Sequence, residues 1–254
     1  MHNKKRLSTI ISVILLGIIA VGFLFPFVWM VATSFKPTNE VFTFTPVGSE
    51  VAWENYPSAL RSIPFGRVVL NSFIVSLAGA ALVVVVSVLS AYAFARLRFK
   101  GRDHLFMVFL GTLVLPQEVL VIPLYIGMQR MGLVNSYFAL IVPFAFGAFG
   151  AFLIRQFLMS LPLEFEEAAR IDGCSDWKIL TKILLPLLKA PITVVGVFAF
   201  IDYWSAFLWP LIVVNDSSLA TIPLGLQMFS GERGTDWGPL MAAVTMTTIP
   251  SILL

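Results

Sequence analysis

The sequence predicts an all-α polytopic membrane protein, and three observations carry this prediction. Hydrophobic residues make up 58% of the 254 residues and charged residues only 12%, whereas a soluble domain has about 25% charged residues. Long apolar runs lie between the charged residues, and a helix needs ~20 apolar residues to cross a bilayer. Because backbone groups in hydrocarbon must find partners within the protein, these runs are predicted to be helices.

The charged residues divide the chain into six predicted transmembrane helices. The only charged residue within the third is Glu118, and the only one within the fifth is Asp202. Pro116 predicts a break in the third helix, because proline has no amide hydrogen to donate. The predicted helices cover about residues 10–32, 68–95, 105–128, 137–154, 191–214 and 239–254.

The distribution of Lys and Arg predicts a cytoplasmic N-terminus. With this orientation the inside segments hold 12 basic residues and the outside segments hold five, Lys36, Arg61, Arg67, Arg130 and Arg233. Basic residues concentrate on the cytoplasmic side of membrane proteins. The run that follows Lys4, Lys5 and Arg6 is longer than a secretory signal and lacks a clear cleavage site, so we interpret it as a retained first helix.

The chain is predicted to have two parts. Residues 1–66 hold the first transmembrane helix and an extracytoplasmic loop, and residues 67–254 form a transmembrane core that includes a cytoplasmic loop at 155–190. The sequence has one cysteine, Cys174, no metal-spaced His/Cys cluster and no phosphate-binding loop. It therefore predicts no metal, no cofactor, no catalytic residue and no ATP site of its own.

The cytoplasmic loop begins with a short predicted helix. Leu161 and Pro162 end the fourth transmembrane helix, and residues 164–172 form the next one. Glu166 and Arg170 are four residues apart, so they are predicted to pair on one face. Gly173 follows where a helix often ends in a left-handed residue.

A second short helix is predicted after Gly173. Ser175 is its expected N-cap. Pro186 is expected to bend the chain toward the fifth transmembrane helix. The apolar face of this second short helix is predicted from residues at helical spacing, namely Trp177, Leu180, Ile183 or Leu184, and Leu187.

The residues of this loop resemble the EAA loop of binding-protein-dependent ABC importers. The pattern consists of Glu167-Ala168-Ala169, Gly173, Ile183 and Leu185-Pro186 at the family spacing. In that family the short helix is the coupling helix, which docks on the ATP-binding subunit. The alternative, an ordinary helix-turn-helix connector, is disfavoured by the six helices around the loop. The resemblance assigns coupling to Glu166, Glu167, Ala168, Ala169, Arg170, Asp172, Gly173, Ile183, Leu185 and Pro186.

Segments outside the loop resemble the carbohydrate-importing, maltose-permease-like subunits. They include residues 91–96, 122–125, 132–136 and 207–211. The resemblance implies an ABC importer type I permease core in the cell membrane, with a second permease subunit, two cytoplasmic ATP-binding subunits and an extracytoplasmic solute-binding protein as partners. Membrane lipid is also a partner, and nucleic acid is not. The chain has Trp204-Ser205 where the family commonly has Trp-Asn.

Polar residues within the predicted helices are candidates for a translocation pathway. An ionisable group at membrane depth usually faces protein or water. Asp202, Trp204 and Ser205 combine a carboxylate, an aromatic face and a hydroxyl, which suits a sugar. Asp202 holding the helix bundle together is an equally good interpretation, and Glu118 is more simply explained as a solvated residue, although it also remains a pathway candidate.

The function predicted from these observations is transport, with the chain forming half of a pathway driven by a separate ATPase. The alternative is a secondary transporter or channel subunit. Secondary transporters usually show internal repeats, and the two halves of this sequence show none.

Overall fold

A computed structural model describes residues 2–231 and 234–253, with the side chains of residues 9–231 and 234–250. Several residues lie outside the described side chains, namely the basic residues Lys4, Lys5 and Arg6 before the first helix, Arg233 and Leu254.

The all-α prediction is confirmed, since the strands within the described ranges are one short antiparallel pair, β1 Ser230–Gly231 and β2 Gly234–Thr235. The helices are α1 His2–Ser34, α2 Asn55–Ser62, α3 Phe65–Arg96, α4 Arg102–Gly111, α5 Gln117–Arg130, α6 Tyr137–Ile141, α7 Ala148–Ser160, α8 Glu164–Ile171, α9 Asp176–Lys178, a π-helical segment Ile179–Leu184, α10 Leu185–Leu187, α11 Lys189–Ser205, α12 Leu208–Val213, α13 Ile222–Gln227 and α14 Trp237–Leu253.

Two of the described helices are long and apolar enough to cross a membrane without a break. They are the Thr9–Ser34 part of α1 and the whole of α3, with mean hydropathies of 2.7 and 2.6. Three more spans result if bent helix pairs are counted as one span each, which gives up to five. Large apolar side chains of α1 are exposed, for example Leu16 and Phe23, as expected for a helix in contact with lipid.

The third predicted span breaks where Pro116 predicts. A 3₁₀ turn, Thr112–Val114, follows α4, and the chain then bends by 102° into α5. Leu115 and Pro116 have extended backbones at this bend. The prediction of a break is therefore confirmed.

The fourth and fifth predicted spans are not continuous helices, and in this respect the sequence prediction was wrong. In the fourth, α6 is only five residues long and residues 142–147 separate it from α7. Pro143 lies in this gap and cannot donate a helical hydrogen bond. In the fifth, α11 ends at Ser205 because Ala206 is extended, with φ −61° and ψ 123°.

Contacts divide the chain into two compact units, and the first comprises residues 1–66 and 225–254. In this unit α14 contacts both α1 and α2. A small core consists of Ala59, Ile63, Phe229, Ala242 and Ala243. The buried Asn55 amide donates to the carbonyls of Ser34 and Lys36, both at 2.9 Å, and so fixes the turn that follows α1.

The second unit comprises residues 67–224. Here α3 holds the segment around residues 218–222 through two neighbouring side chains. The Asn71 Nδ2 donates to the carbonyls of Ser218 and Ala220, each at 2.9 Å. The Asn71 Oδ1 accepts from the Tyr137 hydroxyl at 2.6 Å. The Ser72 hydroxyl accepts from the Ile222 amide at 2.7 Å. Side chains of α3 thus satisfy backbone groups that no helix or strand satisfies.

Close packing between α3 and α11 depends on Gly79. A Cβ atom added at Gly79 would lie 2.5 Å from the Tyr203 ring. The Tyr203 hydroxyl reaches past it and donates to the Ile141 carbonyl at 2.5 Å. The glycine therefore lets α11 approach α3 while α11 also binds the end of α6.

Candidate functional site

The loop between α7 and α11 folds onto the ends of α3 and α7. Ala169 of α8 is buried there, together with Ile179, Leu180, Leu184 and Leu188 from the second part of the loop. They pack on a set of buried residues from the neighbouring helices, Val88, Ala91, Tyr92, Ile154, Leu158 and Val195. Burial of this apolar surface, at about 25 cal/mol per Å², holds the loop against the helices.

A buried ion pair attaches α8 to the end of α3. Glu166 Oε1 accepts from Arg96 Nε at 2.5 Å, and the two side chains are only 5% and 6% exposed. Arg96 also donates to the carbonyls of Leu158 and Leu161, at 2.8 and 3.2 Å. Both carbonyls lie at the end of α7, where the helix offers no further turn of amide hydrogens to bind them. The predicted pair between Glu166 and Arg170 was wrong, because Glu166 faces the core while Arg170 pairs with Asp176 at the surface, at 2.8 Å.

The turn after α8 has the predicted conformation. Gly173 has φ 76°, the left-handed region that favours glycine. Its amide donates to the Arg170 carbonyl and the Cys174 amide to the Ala169 carbonyl, which is the Schellman pattern of a helix end. The predicted N-cap is also confirmed, since the Ser175 hydroxyl accepts from the Lys178 amide at 3.4 Å.

The second helix of the loop does not bury the predicted face. Leu180 and Leu184 are buried as predicted, but Trp177 is 66% exposed and Leu187 is 42% exposed. For Leu187 the reason is the π-helical segment Ile179–Leu184, which has more than 3.6 residues per turn and shifts the later side chains around the axis. The chain then bends by 81° into α11, two residues after Pro186.

The outer face of α8 is exposed and combines acidic and apolar side chains. Glu167, Ala168 and Arg170 are exposed, and so are Phe165 and Ile171. Ile171 is the extreme case, with 87% of its surface exposed. Asp172 and Gly173 continue this face. Ile183 is partly buried, and Leu185 and Pro186 are exposed.

A cavity of about 400 Å³ lies within the second unit, lined by residues of α3, α5, α7, α11 and α12. Its non-aromatic polar side chains are Gln117 and Glu118 at the start of α5, and Asp202 and Ser205 near the end of α11. Aromatic side chains form much of the remaining wall, namely Phe144, Phe149, Phe198, Tyr203, Phe207 and Trp209. The breaks after α4 and α11 place these polar side chains at helix ends that face the same space.

The four predicted pathway residues do not all lie at this cavity. Glu118, Asp202 and Ser205 line it. Trp204 instead packs on other aromatic rings, 4.9 Å from Phe73 and 5.5 Å from Phe200 between ring centroids, and is only 6% exposed. Successive helical residues are rotated by about 100°, so Trp204 lies on a different side of α11 from Asp202 and Ser205.

Sequence reasoning missed two functional features. Arg96 was not predicted as the partner of Glu166, because the two residues are 70 positions apart. The phenylalanines of the cavity were not among the predicted pathway residues, because the sequence holds no signal that separates them from the other phenylalanines.

Comparisons with known proteins agree on one family. The model of the family described as binding-protein-dependent transport system inner membrane component matches residues 83–254. The sn-glycerol-3-phosphate transport system permease protein of Pectobacterium atrosepticum is 37% identical over all of this chain and 93% of its own length. The lactose transport system permease protein of Rhizobium radiobacter is 30% identical over 99% of this chain and 92% of its own length.

A solved structure has the same fold. It is a bacterial ABC transporter involved in the import of the acidic polysaccharide alginate. One of its chains matches with a TM-score of 0.85 at 23% identity, over 98% of this chain and 94% of the other.

Proposed function

The chain belongs to the family of binding-protein-dependent transport system inner membrane components, and on this premise we propose that it is the permease subunit of an ABC importer for a sugar or oligosaccharide. The resemblance drawn from the loop residues is confirmed at the level of the family. The sugar is supported by the lactose permease of Rhizobium radiobacter, which is similar over nearly its whole length. The secondary transporter or channel alternative has no support among these relatives.

The proposed role of the loop, coupling to an ATP-binding subunit, is supported by the arrangement of its two sides. Its inner side is fixed by the Arg96–Glu166 pair and by buried apolar residues. Its outer side presents Glu167, Ala168 and Ile171 to the surroundings. Small and acidic side chains on an exposed helix permit close approach and set the register of a partner through charge. We propose that this outer face docks on an ATP-binding subunit.

The assembly that follows contains several subunits. We propose that this chain pairs with a second permease subunit, two cytoplasmic ATP-binding subunits and an extracytoplasmic solute-binding protein. The proposed location is the cell membrane, with six transmembrane segments and a cytoplasmic N-terminus. In this arrangement residues 1–66 supply the first helix and an extracytoplasmic loop, and residues 67–254 supply the core.

The proposed translocation pathway includes the cavity. Glu118, Asp202 and Ser205 line it and provide oxygen atoms that can bind sugar hydroxyls. Trp204 lies outside the lining and packs on Phe73 and Phe200. We therefore propose that Trp204 supports α11 and that the other three residues contact the solute.

The proposed topology predicts a labelling pattern. In a Cys174→Ser background, cysteines introduced by Glu50→Cys and Ser217→Cys should react with an impermeant thiol reagent added to intact cells. Cysteines introduced by Lys100→Cys and Lys178→Cys should react only after the membrane is permeabilised. All four original residues are exposed, so burial does not account for a failure to react. Labelling of Lys100→Cys in intact cells would reverse the orientation.

The pathway predicts a transport defect for Asp202→Asn. A hydrogen bond to a charged group contributes about 1.5–3 kcal/mol, so the rate of ATP-driven uptake should change by about tenfold in the reconstituted complex. Asp216→Asn is the matched control, because Asp216 is exposed and does not line the cavity. A normal uptake rate for Asp202→Asn, in a complex that assembles normally, would remove Asp202 from the pathway.

A further inference from the structure

The charged residues of the cavity are of one sign. Glu118 and Asp202 contribute carboxylates, and among the described side chains no Lys, Arg or His lines it. The other polar side chains at the wall, Gln117, Ser205, Tyr203 and Trp209, are uncharged. Tyr203 and Trp209 already donate to the carbonyls of Ile141 and Ala139.

Neither carboxylate is neutralised within the part of the chain that the structure describes. Asp202 and Glu118 have no hydrogen-bond or ion-pair partner there. Two partly buried arginines of the second unit are engaged elsewhere. Arg96 binds Glu166, and Arg155 lies 4.1 Å from the centre of the Phe106 ring and donates to the Phe94 carbonyl.

From this charge distribution, and resting on the proposed function, we propose that the cavity admits uncharged or amine-bearing sugars and rejects anionic solutes. A phosphate or carboxylate in the cavity would meet like charge in surroundings where charges interact more strongly than in water. Such repulsion is an effective way to exclude a competing solute.

The rest of the wall suits an uncharged sugar. Flat aromatic rings from Phe149, Phe198 and Phe207 can cover the apolar faces of a pyranose, while Gln117 and Ser205 offer hydrogen-bonding groups. The relatives handle solutes of both kinds, since glycerol 3-phosphate is an anion and lactose is neutral. The two carboxylates of this cavity suit a neutral sugar better than an anion.

Charged thiol reagents test this proposal without knowledge of the solute. The assembled transporter, with Ser205→Cys in a Cys174→Ser background, is treated with a cationic trimethylammonium-ethyl or an anionic sulfonatoethyl methanethiosulfonate. The ratio of the two rates is divided by the ratio for 2-mercaptoethanol in solution. We expect the cavity cysteine to favour the cationic reagent by about tenfold or more after this correction.

Removal of the charges provides the internal control. In the same background, Glu118→Gln with Asp202→Asn should bring the corrected ratio to within about twofold of unity. A corrected ratio near one in the transporter that retains both carboxylates would overturn the proposal. So would a preference that survives both substitutions, or a cysteine at position 205 that reacts with neither reagent.

The outcome is separable from the proposed function. ATP-driven uptake by the unaltered complex tests whether the chain is an importer subunit. Normal uptake together with a corrected ratio near one would reject charge selection alone. Absence of ATP-driven uptake would reject the importer, whatever the ratio.

Discussion

Gly173→Val should abolish ATP-driven uptake while the subunit still inserts and assembles. Gly173 has φ 76°. Placing an L-residue in this left-handed conformation costs roughly 1–2 kcal/mol, and a β-branched residue such as valine tolerates it least. No atom lies within 4 Å of a Cβ placed there, so the strain is in the backbone. The turn should therefore open and move α8 out of position for docking. Uptake and ATP hydrolysis by the purified complex measure the loss, and we expect uptake below about a tenth of normal.

Gly173→Asn is the matched control for this substitution. Asparagine also adds a side chain but tolerates the left-handed region, so most uptake should remain. Equal uptake by the valine and asparagine variants would mean that the backbone conformation at residue 173 is not what coupling requires.

Arg96→Met should strongly destabilise the loop. The substitution leaves Glu166 buried without its partner, and breaking a buried pair costs about 3–5 kcal/mol. It also removes the donors to the Leu158 and Leu161 carbonyls. We expect a lower midpoint of thermal unfolding and faster proteolysis between α7 and α11. Arg96 acts here as a positioning residue for α8.

The exposed pair of the same loop provides the comparison. Arg170 and Asp176 are about half exposed, and exposed pairs contribute only about 0–1 kcal/mol. Asp176→Asn should therefore change the unfolding midpoint far less than Arg96→Met. The double variant Arg96→Met with Glu166→Met should recover much of the lost stability, because no unpaired charge remains buried. Similar losses for Arg96→Met and Asp176→Asn would contradict the assigned role of the buried pair.

Local features of the loop were predictable because their causes lie within a few residues. The left-handed Gly173 and the Ser175 cap follow from residue types at a helix end and a helix start. The partner of Glu166 was not predictable in this way. Arg96 is 70 positions away, whereas Arg170 is at the spacing that favours local pairing, so the local rule indicated the wrong partner.

The breaks in the membrane helices were predictable only in part. Pro116 marked the bend of the third span, but the apolar runs at residues 137–154 and 191–214 continue through the breaks after α6 and α11. Hydropathy reports the solvent that a segment prefers and not the path of its backbone. The same breaks bring Glu118, Asp202 and Ser205 to one cavity, so the composition of the site could be suggested from sequence while its assembly could not.

The Asn71 amide also bears on the order of events during synthesis. Asn71 leaves the ribosome 149 residues before Ala220, one of the two carbonyls that it binds. At ~5–20 residues per second this interval is about 7–30 s. Throughout that time a polar side chain with no exposed surface in the finished structure must be hydrated or bound by other groups, since hydrocarbon offers it no partner. The hydrogen bonds from Asn71 to this segment are therefore completed late in synthesis, and the nascent protein depends on whatever binds Asn71 until residue 220 arrives.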